Sequence, residues 1–472
     1  MNTGYPRART VEYLLLALAV VLGVFLRWNG LGWGEDSASY HPDEQRIAEM
    51  ADGLRTNSEF PRSYVFFFPQ LVRAAEAMGG NARIISFVAG CLLIGVVFCL
   101  ARLLAPGHET LAAAFVATNT LCIIHAHFGT ADTVYTVLLC LFAWSVLREK
   151  VWLAAVVAGL AMATKFGLIL IPSLIFLLWQ LNSRARRAGF LTATAIVFFA
   201  AQGFAFNMES VHAIWRSFTL DNAGGFEHNK LLNVLTYAGV MIRALGLPVV
   251  GLLVLFLARR SWTRPPVVQV VALLPFALHG VGLLLINTAF PRHALPLIPV
   301  ACIAAAAGVG LLPRHRIPLA AVCLAWSLAL AWSDGTVFRV DPRERAKAWM
   351  ETNVSNTVRV WADPHHHGKA WHTSADRPSE ANLLVLTEAW TWRFERSEIN
   401  PLGAPSEAEL YHATASDLAW YLRLNDLVAQ GTWKKIYEAG PLHILPEQFA
   451  YAAAWGSFEK FAGRCAVYAP VN

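Results

Sequence analysis

Charged residues are scarce in this chain. Of its 472 residues, 15% are Asp, Glu, Lys or Arg, and 56% are hydrophobic. A soluble protein of this length usually carries about 25% charged residues. The deficit excludes an ordinary water-soluble enzyme. The net charge of +6 comes from Lys and Arg that lie mostly between apolar runs, a distribution that argues against a nucleic-acid surface. We therefore predict no nucleic-acid partner.

The chain also lacks a set of cysteines that could form disulfides. Six of its seven Cys lie in or beside apolar runs, and only Cys465 belongs to the polar C-terminal part. A single Cys cannot cross-link that part. A cleavable signal peptide is not indicated either. Arg7 and Arg9 precede an apolar run, but this run ends in Arg27-Trp28-Asn29 without a small-residue cleavage site. We expect an uncleaved first span.

Long apolar runs are what the sequence has in abundance. A bilayer core requires about 20 apolar residues in a helix, and a β-barrel would show alternating residues instead. The sequence thus predicts a polytopic α-helical membrane protein with about eleven transmembrane helices. The predicted spans are 10–28, 82–104, 109–125, 131–147, 151–165, 167–181, 189–206, 235–258, 266–288, 293–312 and 316–333.

Basic clusters occur in every second connection between these spans. By the positive-inside rule such clusters mark the cytoplasmic side. The N-terminus is therefore expected in the cytoplasm, and an odd number of spans places the C-terminal part outside. The cationic residues that define the inner side are Arg7, Arg9, Arg148, Lys150, Arg184, Arg186, Arg187, Arg259, Arg260, Arg264, Arg314 and Arg316.

Two domains follow from the change in composition along the chain. Residues 1–335 are predicted to form the transmembrane domain, with 29–81 as an acidic outer loop that carries short interfacial helices. Residues 336–472 are predicted to form a small extracytoplasmic α/β domain. Its expected elements are a helix over 343–352 and strands at Val358–Ala362, Leu383–Thr387 and Leu442–Leu445.

Three segments on the outer side carry residues suited to chemistry. Tyr40-His41-Pro42-Asp43-Glu44 places two carboxylates just beyond the first span. They suit the first turn of a helix, where acidic residues interact favourably with the helix dipole, and they also suit a general base. Both interpretations can hold together.

The second segment lies at the outer end of the third predicted span. His125, His127 and Asp132 fall within ten residues there. Ionisable groups at the end of an apolar helix are costly unless they are paired or face water. They are consistent with plain interfacial residues and also with a group that holds an acceptor, a metal or the first-loop carboxylates.

Lys165 and Arg292-His293 supply cations on the same side. Lys165 is explained as an interfacial lysine whose charge reaches the headgroups, and Arg292 as an interface anchor. Cations are disfavoured on the outer face, however, and a phosphate in the headgroup region is a natural partner for both. The run His365-His366-His367 lacks the spaced ligands of a metal site, and we expect a solvated loop there.

In this order the segments resemble GT-C glycosyltransferases of the protein O-mannosyltransferase and aminoarabinose-transferase type, glycosyltransferase family 39. The similar segments are Tyr40–Glu44, His125–Asp132, Gly159–Lys165, Arg292–Pro299 and Asp341–Asn353. The resemblance implies the GT-C fold and a location in the bacterial inner membrane with a periplasmic C-terminal domain. It also implies a polyprenyl-phosphate-linked sugar as donor and an acceptor on the outer face.

The resemblance further assigns expected roles by position. Asp43 would be the catalytic carboxylate, supported by Glu44, and Asp132 a second acidic residue of the site. Lys165 and Arg292 would contact the donor phosphate. Independently of the resemblance, His41, His127 and His293 are candidates for supporting positions beside these residues. Members of the family differ in metal use, so a divalent metal stays an open cofactor.

The functional prediction is transfer of a sugar to an acceptor hydroxyl, with inversion at the anomeric carbon. The acceptor is a protein, a lipid or a glycan. The alternatives are a transporter or lipid-linked-glycan flippase without catalysis, and a polymerase or ligase that joins lipid-linked glycans. Against transport, the sequence shows no internal repeat, and its ionisable groups gather at one interface rather than in mid-span.

Overall fold

The computed structural model describes residues 6–33, 42–56, 67–165, 167–202, 230–259, 266–285, 290–363, 373–374, 378–391, 415–460 and 462–471. The chain divides into two compact units. The first contains Met1–Leu31 and Pro42–Trp332, and the second contains Gly32–His41 and Ser333–Asn472. The predicted domain limits, 1–335 and 336–472, stay a prediction.

The regular structure of the first unit is helical among its described residues. Short 3-10 turns cover Gly167–Leu170 and Pro291–Leu297. Its helices are α1 (Pro6–Trp28), α2 (Pro42–Thr56), α3 (Phe67–Glu76), α4 (Ala82–Leu104), α5 (Glu109–Ala117), α6 (Thr120–His127), α7 (Ala131–Leu147), α8 (Val151–Thr164), α9 (Ile171–Gln180), α10 (Arg184–Ala201), α11 (Lys230–Leu245), α12 (Leu247–Arg259), α13 (Val267–Leu285), α14 (Ile298–Gly310) and α15 (Arg316–Asp334).

Several of these helices are long and apolar enough to cross a membrane. Five segments qualify on length and composition alone, and the number rises to seven if each of two bent helix pairs is one span. Three further apolar helices, α7, α8 and α9, are shorter. The chain is a membrane protein, as predicted. The expected count of about eleven spans is not confirmed, although a helix lies in every predicted range.

Two predicted spans are broken in the middle. The range 235–258 was predicted as one helix, and this is wrong: α11 and α12 meet at 113°. Gly246 adopts a positive φ of 80° between them, which a glycine accepts readily, and Pro248 then suits the first turn of the next helix. Helices α5 and α6 meet at 51°, where Asn119 accepts a hydrogen bond from the Cys122 backbone N–H and starts the second helix.

Arg27 and Asn119 satisfy polar backbone groups at these two breaks. Arg27 is fully buried, and its guanidinium donates to the carbonyls of Val116 and Ala117 at 3.0 and 2.9 Å. The Asn119 side-chain amide donates to the Ala244 carbonyl at 2.8 Å. Because a helix end leaves carbonyl groups without partners in the helix, these side chains stabilise both breaks in an apolar interior.

The second unit contains a five-stranded mixed sheet. The strands are β1 (Arg359–Ala362), β2 (Thr373–Ser374), β3 (Leu383–Thr387), β4 (Trp433–Ala439) and β5 (Cys465–Pro470), in the order β2-β1-β3-β5-β4. Strand β1 runs parallel to β2 and β3, whereas β5 runs antiparallel to β3 and β4. Its helices are α16 (Thr336–Arg339), α17 (Pro342–Asn353), α18 (Glu388–Thr391), α19 (Ala415–Ala429) and α20 (Pro446–Trp455).

Strand β3 forms the centre of this unit, since all five of its residues are buried. Leu383 and Val385 pack with Met350 of α17, and the alternate residues Leu384 and Leu386 pack with Trp390 and Tyr421 on the other face. A strand covered by helices on both faces is expected to read as a continuous apolar run. The predicted α/β arrangement is therefore present in this unit.

Most predicted elements of the second unit are observed. Asp341 caps the helix Pro342–Asn353 by accepting a hydrogen bond from the Arg343 N–H, and strands lie at Arg359–Ala362 and Leu383–Thr387. The predicted strand Leu442–Leu445 is wrong. The backbone N–H groups of Ile444 and Leu445 bond instead to the Gln448 side chain at 2.7 and 3.0 Å, which starts α20 and leaves them unavailable for a sheet.

Glu388 is the buried polar centre of the second unit. Its carboxylate accepts hydrogen bonds from the Ser457 N–H at 2.6 Å and the Arg464 N–H at 3.0 Å, and it pairs with the Lys460 ammonium at 3.2 Å. Burial would raise the pKa of this carboxyl, but Lys460 and Arg464 outweigh it and lower the pKa to about 2. A Cβ on Gly456 would lie only 2.3 Å from the Glu388 Oε1 atom, so the loop approaches closely enough to require glycine.

Glu388→Gln is expected to destabilise the second unit at neutral pH by about 3 kcal/mol, because each pKa unit corresponds to about 1.4 kcal/mol. A folded-state pKa below the ordinary value of 4.5 gives stability that is complete above about pH 4.5 and lost as the pH falls towards 2. The difference between wild type and variant should therefore shrink below pH 4.5. Protease resistance of the second unit in the full-length protein, followed from pH 7 to pH 3, measures it.

Glu380→Gln is the matched control. The Glu380 carboxylate pairs with Arg359 while both side chains are more than 40% exposed, so its loss should change stability little. A constant difference between wild type and Glu388→Gln across this pH range would contradict the lowered pKa.

Candidate functional site

The N-terminus of α2 presents the two carboxylates of the first outer loop. Helix α2 begins at Pro42, and Asp43 and Glu44 occupy its first turn. Proline fits the first position of a helix, and carboxylates there interact favourably with the helix dipole. The two neighbouring side chains diverge, because successive residues of a helix point in different directions. Glu44 is buried, whereas about a quarter of the Asp43 side chain is exposed.

Glu44 anchors this turn in the protein interior. Its carboxylate accepts hydrogen bonds from the Arg83 Nε and Nη2 atoms at 3.0–3.2 Å and from the Gly129 N–H at 2.6 Å. Arg83 also donates to the Leu31 carbonyl at 3.2 Å. Burial raises the pKa of the Glu44 carboxyl, and Arg83 and the Gly129 N–H oppose that rise. One side chain thus joins α2 to α4 and to the segment that precedes α7.

Gly129 makes this contact sterically feasible. A Cβ at this position would lie 2.5 Å from the Ala82 Cβ and 3.3 Å from the Arg83 backbone nitrogen. Any larger residue would push the segment away from the start of α4, and with it the N–H group that bonds to Glu44. The local sequence Phe128-Gly129-Thr130 therefore holds the acidic turn of α2 close to α4.

Asp43 forms an ion pair with Arg292. The Asp43 Oδ2 atom and the Arg292 Nη1 atom lie 2.7 Å apart, and both side chains are partly exposed. The Arg292 guanidinium also lies over the Phe290 ring, 4.7 Å from its centroid, a cation–π arrangement that limits its freedom. Residues 249 positions apart in the sequence therefore share one polar contact.

Asp132 and Lys165 form the second ion pair. Asp132 lies in the first turn of α7 and is largely buried, whereas about a third of the Lys165 side chain is exposed. Lys165 follows the last residue of α8, and its backbone N–H still bonds to the Ala161 carbonyl. This position directs a flexible cation from the end of an apolar helix towards Asp132.

The two ion pairs belong to one electrostatic cluster. The turn Pro291–Leu297, which carries Arg292, packs against α7, which carries Asp132, so Arg292 and Lys165 both lie within electrostatic range of the Asp132 carboxylate. The cluster therefore combines two cations with two carboxylates, contributed by α2, α7, the end of α8 and the turn Pro291–Leu297. The structure brings Asp43, Asp132, Lys165 and Arg292 close to one another. Their assignment as residues of a functional site, and their chemical roles, stay predictions.

The predicted histidines have different positions. His293 lies beside the cluster, with its Nδ1 atom 3.3 Å from the Tyr237 hydroxyl. His127 is buried, with its ring nitrogens 2.8 and 3.2 Å from the carbonyls of Ile123 and Asn29, so its contacts join α6 to the residues after α1. His41 and the run His365–His367 lie outside the described residues.

Sequence reasoning missed three residues around the cluster. Arg83 could have been found from the sequence, because it is an arginine at the predicted outer end of a span, as Lys165 and Arg292 are. His279 and Tyr237 could not have been found in this way, because both lie within apolar helices rather than at their ends. The His279 Nε2 atom lies 2.6 Å from the His293 carbonyl oxygen, so these two residues hold the turn that carries Arg292.

A resident metal finds no obvious site in the described part of the chain. No group of three or more His, Cys, Asp or Glu side chains is placed there to hold an ion.

Comparisons with known proteins give a fold and no family. No family model matches the chain, and no curated protein matches its sequence. ArnT from Cupriavidus metallidurans, solved with bound undecaprenyl phosphate, is similar in structure. It shares 15% identity at a TM-score of 0.52, with 98% of each chain covered.

The oligosaccharyltransferase of Archaeoglobus fulgidus, solved tethered to an acceptor peptide, is also similar in structure. It shares 12% identity at a TM-score of 0.52, over 98% of this chain and 88% of that one. Both similarities extend along nearly the whole chain. They confirm the predicted fold class: the protein has the GT-C membrane fold.

Proposed function

We propose that the protein is a membrane glycosyltransferase that moves a sugar from a polyprenyl-phosphate donor to an acceptor hydroxyl. The cluster of two carboxylates and two cations is the observation that carries this proposal. Arginine and lysine are the side chains that bind phosphates, and a partly exposed carboxylate beside them can accept a proton. The two structurally similar proteins support the proposal, since one binds undecaprenyl phosphate and the other an acceptor peptide.

Lys165 and Arg292 would hold the donor phosphate. Their ion pairs with Asp132 and Asp43 keep both cations in position before the donor arrives. A sugar joined to a polyprenyl phosphate carries one negative charge on its phosphodiester, which gains a second charge when the bond to the sugar breaks. Cations fixed in advance where this charge grows are effective at lowering a reaction barrier.

Asp43 would act as the general base. It takes the proton of the acceptor hydroxyl, the hydroxyl oxygen bonds to the anomeric carbon, and the bond from this carbon to the phosphate oxygen breaks. The electron pair of that bond leaves with the polyprenyl phosphate. Attack on the face opposite the phosphate inverts the anomeric centre, through an oxocarbenium-like transition state as in other glycosyl transfers.

Arg292 would link the two ends of this reaction. Protonation removes the charge of Asp43, the partner of Arg292, at the same moment as negative charge grows on the phosphate. The guanidinium can then interact more strongly with the leaving group without a large movement. Asp132 would keep Lys165 oriented throughout, since its largely buried side chain pairs with the Lys165 ammonium.

The proposed membrane is the bacterial inner membrane, with the N-terminus in the cytoplasm and the second unit in the periplasm. The positions of the basic residues support this orientation. Arg148, Lys150 and Arg184–Arg187 are exposed at the ends of α7, α8 and α10. The candidate cluster lies at the opposite ends of α7 and α8, so it would face the outer side.

Arg292→Gln is expected to weaken binding of undecaprenyl phosphate by about 10- to 100-fold, because hydrogen bonds to charged groups contribute about 1.5–3 kcal/mol. Native mass spectrometry of the full-length protein in detergent, titrated with this lipid, measures the loss. Identifying the sugar-bearing lipid that copurifies with wild type names the donor.

Arg148→Gln is the matched control, because Arg148 is an exposed cation at the opposite end of α7. It should bind the lipid as wild type does. Equal binding by all three proteins would overturn the proposed phosphate site, and copurification of an unmodified solute would favour a transporter.

A further inference from the structure

The residues that follow the last candidate span lie beside an exposed apolar surface of the second unit. The apolar segment Arg316–Arg339 is long enough to cross a membrane. We infer that this segment is the last span, so that its final residues and Val340, which follows it, reach the level of the lipid headgroups. Residues of the second unit that are hydrogen-bonded to this end of the segment are then expected near the same level.

Gln448 fixes the segment Gly440–Gln448 to this place. Its side chain is buried, and its amide group donates to the Ser333 hydroxyl at 2.7 Å and to the Asp334 carboxylate at 3.0 Å. Its carbonyl oxygen accepts the N–H groups of Ile444 and Leu445. A buried polar network of this kind is rigid because every member is bonded.

Four large apolar side chains are exposed on this part of the unit. Val340, Leu442, Ile444 and Phe449 are 56%, 49%, 47% and 57% exposed. Val340 and Leu442 line one cavity, and the Phe449 ring contacts the neighbouring His443 ring. Single exposed apolar residues need no explanation, but a group at one place marks an interaction surface. We call these four residues the apolar rim.

A cavity of about 540 Å³ opens beside the apolar rim. Arg339 and Arg345 line it together with Val337, Val340 and Leu442. Two guanidinium groups beside apolar walls suit an anionic headgroup that is attached to acyl chains. A soluble anion would be held by the cations without needing the apolar rim.

We propose that this cavity binds the phosphate of an anionic phospholipid headgroup from the adjacent membrane leaflet. Arg339 and Arg345 bind the phosphate oxygens, since guanidinium groups match phosphate geometry. The apolar rim enters the boundary between headgroups and acyl chains, where amphipathic surfaces bind. This site holds the second unit on the bilayer, and it does not depend on the proposed sugar transfer.

Native mass spectrometry of the full-length protein, titrated separately with phosphatidylglycerol and phosphatidylcholine, tests the site. Arg339→Gln/Arg345→Gln is expected to retain phosphatidylglycerol about tenfold more weakly than wild type and to leave phosphatidylcholine unchanged. Arg345→Gln alone should show a smaller loss. Because the Arg345 side chain is exposed, this single variant keeps the test valid if the double variant is unstable.

Arg423→Gln/Lys434→Gln is the matched control, because it removes two exposed cations of the same unit away from the cavity. Wild-type retention of phosphatidylglycerol by this control supports the site, and an equal loss would indicate a general charge effect and overturn it. Displacement of the lipid by millimolar inorganic phosphate, with no preference for either lipid, would identify a free-anion site and also overturn it. Leu442→Ser/Ile444→Ser should weaken lipid retention, and an unchanged result would remove the role of the rim.

Discussion

Asp43→Asn is expected to reduce sugar transfer by about 10²- to 10⁴-fold, the usual contribution of a general base. The amide cannot take the acceptor proton, although it keeps the size of the carboxylate. Donor binding should stay the same or become tighter, because Arg292 loses its carboxylate partner at 2.7 Å and becomes more available to the phosphate. The variant should therefore lose kcat and keep or lower KM, a combination typical of a group that acts in the transition state.

The measurement is release of polyprenyl phosphate from the donor lipid that copurifies with wild type, beside native mass spectrometry with undecaprenyl phosphate. Asp52→Asn is the matched control, since Asp52 is an exposed carboxylate of the same helix, and it should transfer normally. Transfer by Asp43→Asn at the wild-type rate would exclude Asp43 as the base. A proportional loss of lipid binding and transfer would give Asp43 a structural role instead.

The candidate residues could be selected from the sequence because they depart from what membrane topology leads one to expect. Lys165 and Arg292 are cations on the predicted outer side, where cations are rare. Asp132 is a carboxylate at the end of an apolar helix, and Asp43 follows the first apolar span in a polar segment. The unusual position of each of these four residues can be recognised from the sequence alone. The pairing was not visible, because no sequence pattern indicates that Asp43 meets Arg292 and that Asp132 meets Lys165. Those contacts depend on how α2, α7 and the turn Pro291–Leu297 pack.

The fold was predictable where one physical signal dominates. The length of the apolar runs correctly predicted a helix in every predicted span. Strand β3 was predictable from five consecutive apolar or small residues. The bends within spans were harder to predict from the sequence. Gly246 and Asn119 each interrupt a run that is apolar on both sides. These breaks depend on the backbone conformation of Gly246 and on the capping side chain of Asn119, which composition does not reveal. The strand predicted at Leu442–Leu445 was wrong for a related reason. The side chain of one later residue, Gln448, accepts the backbone N–H groups of Ile444 and Leu445 that a strand would need.

Arg83→Met is expected to destabilise the first unit by about 3–5 kcal/mol. Among the described polar partners of Glu44, only the Gly129 N–H would then remain. The buried charge of Glu44 would lose its cation partner Arg83. Transfer should fall as well, because the first turn of α2 carries Asp43 beside Glu44. Thermal unfolding of the full-length protein in detergent measures the stability, and the transfer assay measures the activity.

A double substitution separates the two contributions of this pair. Glu44→Gln/Arg83→Met removes both charges and should be more stable than Arg83→Met alone, because the unpaired buried carboxylate is gone. Arg102→Met serves as control, since Arg102 is an exposed arginine at the other end of α4, and it should unfold like wild type. If the double variant regains stability but not transfer, the ion pair positions Asp43 in addition to stabilising the fold. If Arg83→Met unfolds like Arg102→Met, the buried ion pair does not anchor α2, and the orientation of Asp43 must come from Arg292 and from the Gly129–Glu44 hydrogen bond.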